Sequence, residues 1–441
     1  MEARALRLAC MALAYCAFAA GGYGMETVLS EHNAFSPENC PWKPSAAREE
    51  ILPECAVDAK VSRGPEAGSL RIRCRDRVEY GGWVLAVGGI KPGAWYRLDA
   101  YYRAQGVAFE RQRVVPRLDW RKSNGDRAGQ PEYVFRTEDA GGGWRHVWAV
   151  APAPDEAASV EIELLFGWNA GGTVWWDDVR LAEVPQPPPR IVRVATIHHR
   201  PRGNKRPSEN IEEFCQWIDR VAKHKPDIIC LPEAMTMVGT GLKYADVAEP
   251  IPGPTSARLG EMARKYNCYL VACYNEREGR AVYNTAILID RQGKIVGKYR
   301  KVYVPREEIE GGVMPGDAYR VFETDFGKVG MMICWDVQYV DPAQRMALDG
   351  AEIIFLPIWG GNETLMKARA IENHVFLVTC GYGARSWIVD PEGNVLAEAR
   401  EDSAELEPIA VAEIDLNRRY VHPWLGYMRG RFIKEHREDV K

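Results

Sequence analysis

Val184-Pro-Gln-Pro-Pro-Pro-Arg-Ile-Val-Arg-Val-Ala-Thr-Ile197 divides the chain and opens its second half. Four prolines fall within residues 185–189. Proline fixes φ and lacks an N–H, so the run 185–190 reads as a stiff, extended linker. Directly behind it, Arg190–Ile197 is an apolar, β-branched run of strand length, the pattern of a buried strand. Nine of the fourteen tryptophans precede the linker, although that side is less than half of the chain.

Downstream, strand and helix patterns alternate. Ser208 is placed to cap a helix with Ile211, Phe214, Cys215, Ile218, Val221 and Ala222 on one face. Asp227–Leu231 is the next strand, and Thr255–Tyr266 a second helix. Strands follow at Tyr269–Tyr274, Ala281–Asp290, Lys294–Lys298, Val329–Cys334 and Glu352–Leu356. A third helix spans roughly Asn362–Asn373. This order predicts a layered α/β domain over 191–441 with a mostly buried sheet.

Upstream, residues 26–184 read as all-β. Ser69–Cys74, Trp95–Tyr101 and Ser159–Leu164 alternate with period two, between Gly- and Pro-rich turns. That predicts an antiparallel sandwich. Gly172-Thr-Val-Trp-Trp-Asp-Asp-Val-Arg-Leu181 is a further strand, and with it the segment resembles galactose-binding-like jelly-roll modules. The resemblance implies a carbohydrate partner held by stacking, with Trp83, Trp120, Trp144, Trp148 and Trp168 as candidates. Core packing is the competing use of the same rings.

The whole chain has 441 residues, 46% hydrophobic and 27% charged, so it is globular rather than disordered. The formal net charge of −4 gives no general basic excess to hold a phosphate backbone, which argues against a nucleic-acid partner. No apolar run reaches the roughly 18 residues of a membrane span. Arg4 and Arg7 precede an apolar stretch from Leu8 to Ala20, with Ala17 and Ala19 in A-x-A spacing. Residues 1–20 therefore read as a signal peptide, and the expected location is secreted or periplasmic. Loss of Cys10 and Cys16 with that peptide leaves nine cysteines, so at least one is unpaired. Neither CxxC nor HExxH occurs, so no metal site is expected.

Three polar residues fall where strands end: Glu233 in Leu231-Pro-Glu-Ala-Met, Lys301 in Lys298-Tyr-Arg-Lys-Val-Tyr-Val-Pro305, and Cys334 in Gly330-Met-Met-Ile-Cys-Trp-Asp336. Ligands bind beyond the carboxyl ends of strands in α/β sheets. A thiol, a base and a cation meeting there form a nucleophilic site. An ordinary thiol titrates near ~8.5, so the cation and the base are expected to help generate a low-pKa thiolate.

On these three motifs, and on Phe322–Gly330 leading into the cysteine, residues 191–420 resemble the nitrilase superfamily of carbon–nitrogen hydrolases. The resemblance implies an α-β-β-α sandwich and a Glu233–Lys301–Cys334 triad needing neither cofactor nor metal. It implies a small amide or N-carbamoyl substrate, a Cys334 thioester, and an oxyanion held by Lys301 and the Trp335 backbone N–H. An assisting acid precedes Pro315-Gly-Asp317: Glu308, with Glu310 as the alternate. Arg369 and Asn373 are expected to support the site, and Thr236–Asp246 to form one wall. Family members commonly dimerise, so a homodimer or larger homo-oligomer is expected, and the 418–427 tail has interface-like composition. Two other functions compete: a soluble amide-forming acyltransferase, and a non-catalytic carbohydrate-binding or docking protein.

Overall fold

The computed structural model describes residues 26–33, 35–65, 68–401, 403 and 406–440. The signal peptide expected over 1–20 lies outside them. The chain separates into two units, one of residues 1–188 with 421–441 and one of residues 189–420. The division falls inside the proline run, which carries no helix or strand.

In the first unit, alternating strands build two antiparallel sheets. One has the order Glu54–Asp58, Ser69–Arg73, Thr173–Val184, Trp95–Gln105, Trp144–Pro152, Arg136–Gly141, with Thr27–His32 also on Thr173–Val184. The other runs Lys43–Ala46, Tyr80–Gly88, Ser159–Gly167, Val114–Arg121, Glu132–Tyr133. Leu70, Ile72, Leu98 and Trp176 of the first sheet share a core with Trp83, Leu118, Trp120 and Ile162 of the second. Strict alternation supplies that core, because every second side chain points inward.

The five candidate stacking tryptophans divide, and three take the core packing that competed with that use. Trp83, Trp120 and Trp144 are buried, which removes them as stacking platforms. Trp148 is half-buried and stacks on His146 at 4.9 Å between centroids. Only Trp168 of the five is well exposed, at 46%, resting on Tyr80.

The chain's last segment departs from the expected boundary at 441. Residues 421–440 belong to the first unit. Their helix, Met428–Glu435, is fixed to it by Tyr133 Oη donating to Glu435 Oε1 (3.0 Å) and Lys434 Nζ donating to the Val114 carbonyl (3.0 Å).

The second unit is layered. One sheet has the order Ile295–Arg300, Ala281–Ile289, Tyr269–Glu278, Ile228–Cys230, Ile191–Ile197, Ile409–Asp415, and Val313–Met314 joins it beside Ala281–Ile289. The other has the order Val321–Glu323, Lys328–Met331, Ile353–Ile358, Phe376–Gly381, Ser386–Val389, Val395–Ala399. Val194, Ile229, Val271 and Ile287 pack in one core with Val329, Ile353 and Val378, so the sheets face each other. Helices Pro207–Val221 and Pro254–Tyr266 pair beside the first sheet, and Asp341–Leu348 and Glu363–Asn373 beside the second. Sheets covered on both faces explain why these strands read as continuous apolar runs.

Local differences from the sequence reading have simple causes. Ser208 lies inside the first helix, whose N-cap is Arg206, because Pro207 takes the first turn where no N–H is needed. The strand expected to end at Cys334 stops at Met331. Cys334 instead begins a short 3-10 turn, Cys334–Gln338.

Candidate active site

Glu233 leaves the strand Ile228–Cys230 in a turn bound to its neighbour: Leu231 N–H donates to the Val271 carbonyl and Met235 N–H to the Cys273 carbonyl, both 2.9 Å. Tyr382 Oη donates to the Glu233 carbonyl at 2.8 Å. Lys301 follows Ile295–Arg300, its N–H donating to the Asn284 carbonyl at 2.9 Å. Cys334 has φ +42° and Ala234, next to Glu233, φ +50°. Left-handed backbone at residues with a side chain is costly, and it persists where surrounding structure holds a functional group in place.

The expected residues meet. Lys301 is fully buried, and its Nζ donates to Glu233 Oε1 at 2.9 Å and Glu308 Oε1 at 2.5 Å. Glu308 is buried on the helix Arg306–Glu310. Glu310 is exposed and, among the described residues, its ion pair is with Arg306 at 3.8 Å, so of the two acids Glu308 is the one at the site. Glu233 Oε2 is buried with no hydrogen-bond partner among the described residues. The Cys334 thiol lies against this carboxylate and is pushed up to about 12, first by burial and then by Glu233, with Lys301 opposing. Its Sγ also approaches the Gly360 carbonyl at 3.9 Å.

This corrects the expectation of a low-pKa thiolate. Lys301 is close, but burial and a facing carboxylate outweigh it, so the Cys334 thiol is raised rather than lowered. Burial opposes the charge of Lys301, yet Glu233, Cys334 and Glu308 together hold its pKa well above the ordinary value, so it stays an ammonium. Burial and Glu233 raise the Glu308 carboxyl against the pull of Lys301. The arrangement is a fixed cation between two acids, with a thiol beside one of them.

Trp335 is 41% exposed, and its N–H lies in the first turn of the 3-10 segment. Early N–H groups of a helical turn have no partner within it and are available to an anion. Arg369 is buried and donates through Nε (3.1 Å) and Nη2 (3.0 Å) to the Val337 carbonyl, holding the Cys334 turn from the helix Glu363–Asn373. Asn373 Nδ2 bonds the Arg369 carbonyl at 2.9 Å. Both support the site's architecture, as expected. From the anticipated wall, Tyr244 approaches closely enough for Glu308, Glu233 and Lys301 all to act on its hydroxyl.

The sequence reading assigned no role to two other residues. Asp336 Oδ2 accepts from Ile333 N–H (2.9 Å) and Tyr299 Oη (2.8 Å), and Oδ1 from Tyr303 N–H (2.9 Å). It thereby ties the cysteine turn to the segment carrying Lys301. Asn284 Nδ2 donates to Glu233 Oε1 (2.8 Å) and Glu308 Oε2 (3.1 Å), and its Oδ1 accepts from Cys273 Sγ (3.2 Å). The available signal was a lone amide within the apolar strand Ala281–Ile289, since buried polar side chains need partners. Among the described residues no group of three or more His, Cys, Asp or Glu is arranged to hold a metal ion.

Comparison with known proteins follows the same residues. The carbon–nitrogen hydrolase family matches residues 193–421. A nitrilase of Pyrococcus abyssi is 32% identical over 246 residues, covering 51% of this chain and 90% of its own. The human omega-amidase NIT2 is 28% identical over 240 residues, 48% of this chain and 84% of its own. Among solved structures, Saccharomyces cerevisiae Nit3, of branch 10 of the nitrilase superfamily, aligns at 25% identity with a TM-score of 0.45, over 51% of this chain and 90% of its own. With its matched region spanning 193–421, this chain belongs to the carbon–nitrogen hydrolase family and is an enzyme of that class.

Proposed function

We propose that the enzyme cleaves a non-peptide amide or N-carbamoyl bond through a thioester on Cys334. The observation that carries this reading is the buried Glu233 carboxylate, held through Oε1 by Lys301 and Asn284, against the raised Cys334 thiol. Glu233 takes the thiol proton as Cys334 attacks the carbonyl carbon. Because the thiol is released from its proton only in that step, the thiolate forms where it is used. Lys301 and the Trp335 N–H carry the developing oxyanion. Glu233 returns the proton to the leaving amine or ammonia, then activates the water that opens the thioester. Glu308 shares Lys301 with Glu233 and orients the pair.

The test is Cys334→Ala against a panel of aliphatic amides, scored by released ammonia. Loss of a covalent nucleophile removes orders of magnitude of rate. The variant is expected to be inactive and folded, and the wild type to carry an acyl adduct on Cys334 by mass spectrometry. Retained turnover refutes the thioester. Adding an external amine separates hydrolysis from the acyl-transfer reading, which yields the new amide instead of the acid.

Export belongs to the same proposal. The Arg-then-apolar-then-Ala start is the support for it, and mass analysis is expected to find a mature chain beginning near residue 20. A homodimer, and a sugar on the exposed face of Trp168, are further proposals, read by light scattering and by Trp fluorescence against a glycan panel.

A further inference from the structure

Asn284 touches three of the four groups just described. Its backbone carbonyl accepts the Lys301 N–H, and its amide nitrogen donates to both carboxylates. An ionised carboxylate only accepts, so both demand the NH2 end of the amide. The opposite end, Oδ1, therefore needs a donor, and the structure supplies one: the thiol of Cys273, 3.2 Å away and fully buried. Cys273 pairs with Ala286 across the strands Tyr269–Glu278 and Ala281–Ile289, which puts it diagonally beside Asn284 on the same face. Its sulphur also takes a bond from the Ala234 backbone, and its carbonyl accepts Met235 N–H at 2.9 Å. One thiol thus grips both the amide and the strained turn that carries Glu233.

We infer that Cys273 and Asn284 form a positioning relay in which the Cys273 S–H locks the Asn284 amide with its NH2 toward Glu233 and Glu308, holding both acids in register with Lys301. The inference rests on the thioester reading and extends it to two residues that touch no reacting atom. Cys273 suits the task because burial, reinforced by the charge of Glu233, holds its thiol pKa well above the ordinary value, so it remains a donor at every working pH. With the lock removed, the amide is free to rotate, and a rotated Oδ1 faces two carboxylates. Glu308 then loses a donor that favours its charged form, and protonates at higher pH.

The charged and titratable groups around the two acids are Lys301, Cys334, Cys273, Tyr244 from the adjoining helix and Tyr382 from the opposite sheet. Lys301, Tyr244 and Tyr382 stay in place in every variant, and Cys334 in all but Cys334→Ala. The full-length protein is made as wild type, Cys273→Val, Cys273→Ser, Asn284→Ala and Cys334→Ala. Each is assayed across pH 5–9 on the aliphatic amide that the wild type turns over fastest.

Cys273→Val is expected to lower kcat by about 10-fold, as for one lost buried hydrogen bond, with KM nearly unchanged. Its acid limb should move up by about one pH unit. Cys273→Ser restores the donor, and both kcat and the limb should return close to wild type. Asn284→Ala should exceed Cys273→Val in both effects, and gives the answer if Cys273→Val does not fold. A loss of kcat with an unshifted acid limb means plain packing and overturns the relay, as does a serine variant no better than valine. Activity in Cys334→Ala refutes the thioester reading itself, a result separate from either of these.

Discussion

Replacing Glu233 by Gln tests the electrostatics at the centre of the site, because it should move two observables in opposite directions. In the wild type the Cys334 thiol stands at about 12, with burial the larger cause and Glu233 the next, while Lys301 pulls the other way. Glu233→Gln keeps size and burial but removes the negative charge. A unit charge on the order of 5 Å away in a medium of effective dielectric ~20 acts with about 3 kcal/mol, which is roughly 2 pH units. The thiol should therefore become more acidic by about that much, with Lys301 now unopposed. Turnover should nevertheless fall by ~10²–10⁴, because the general base is gone. The assay is the ultraviolet absorbance of the thiolate over a pH titration, taken as the difference from Cys334→Ala, alongside ammonia release. A midpoint that stays fixed or rises, or amide turnover near wild type, would refute the reasoning.

Other consequences follow from buried groups. Asp336→Ala strips the acceptor from Ile333 N–H, Tyr299 Oη and Tyr303 N–H; at roughly 1–3 kcal/mol per orphaned donor it should destabilise by about 4 kcal/mol, read by urea unfolding. Lys434 is buried against the Val114 carbonyl and burial holds its amine down to about 7. A base lowered in the folded state costs stability: the cost is full below pH 7 and shrinks as pH rises toward 10.5. Lys434→Met should therefore be more stable than wild type by about 3 kcal/mol at pH 6.5, and the gap should narrow by pH 9 in thermal melts. A fragment of residues 189–420 should fold and retain amidase activity, whereas 190–441 carries the helix Met428–Glu435 without the strands that bury it and should self-associate on gel filtration.

The sequence by itself determined the division of labour along the chain. The proline run marked the boundary, period-two alternation marked a two-sheet sandwich, and buried β-branched runs with helical spacing between them marked a layered α/β unit. Glu233, Lys301 and Cys334 were legible because each stands as a polar residue at the end of an apolar strand. Three things waited for the tertiary structure, and each has a long-range cause. The end of the chain packs on strands some three hundred residues earlier, a pairing that no local pattern encodes. Trp83, Trp120 and Trp144 are core rather than platform, because the register of a strand, not its composition, decides which face a side chain takes. The thiol is raised rather than lowered, because a pKa is a sum over burial and charge that only three-dimensional proximity sets. Asn284 and Asp336 escaped for the same reason: a lone polar residue in an apolar run announces that it has partners, and only the fold says which.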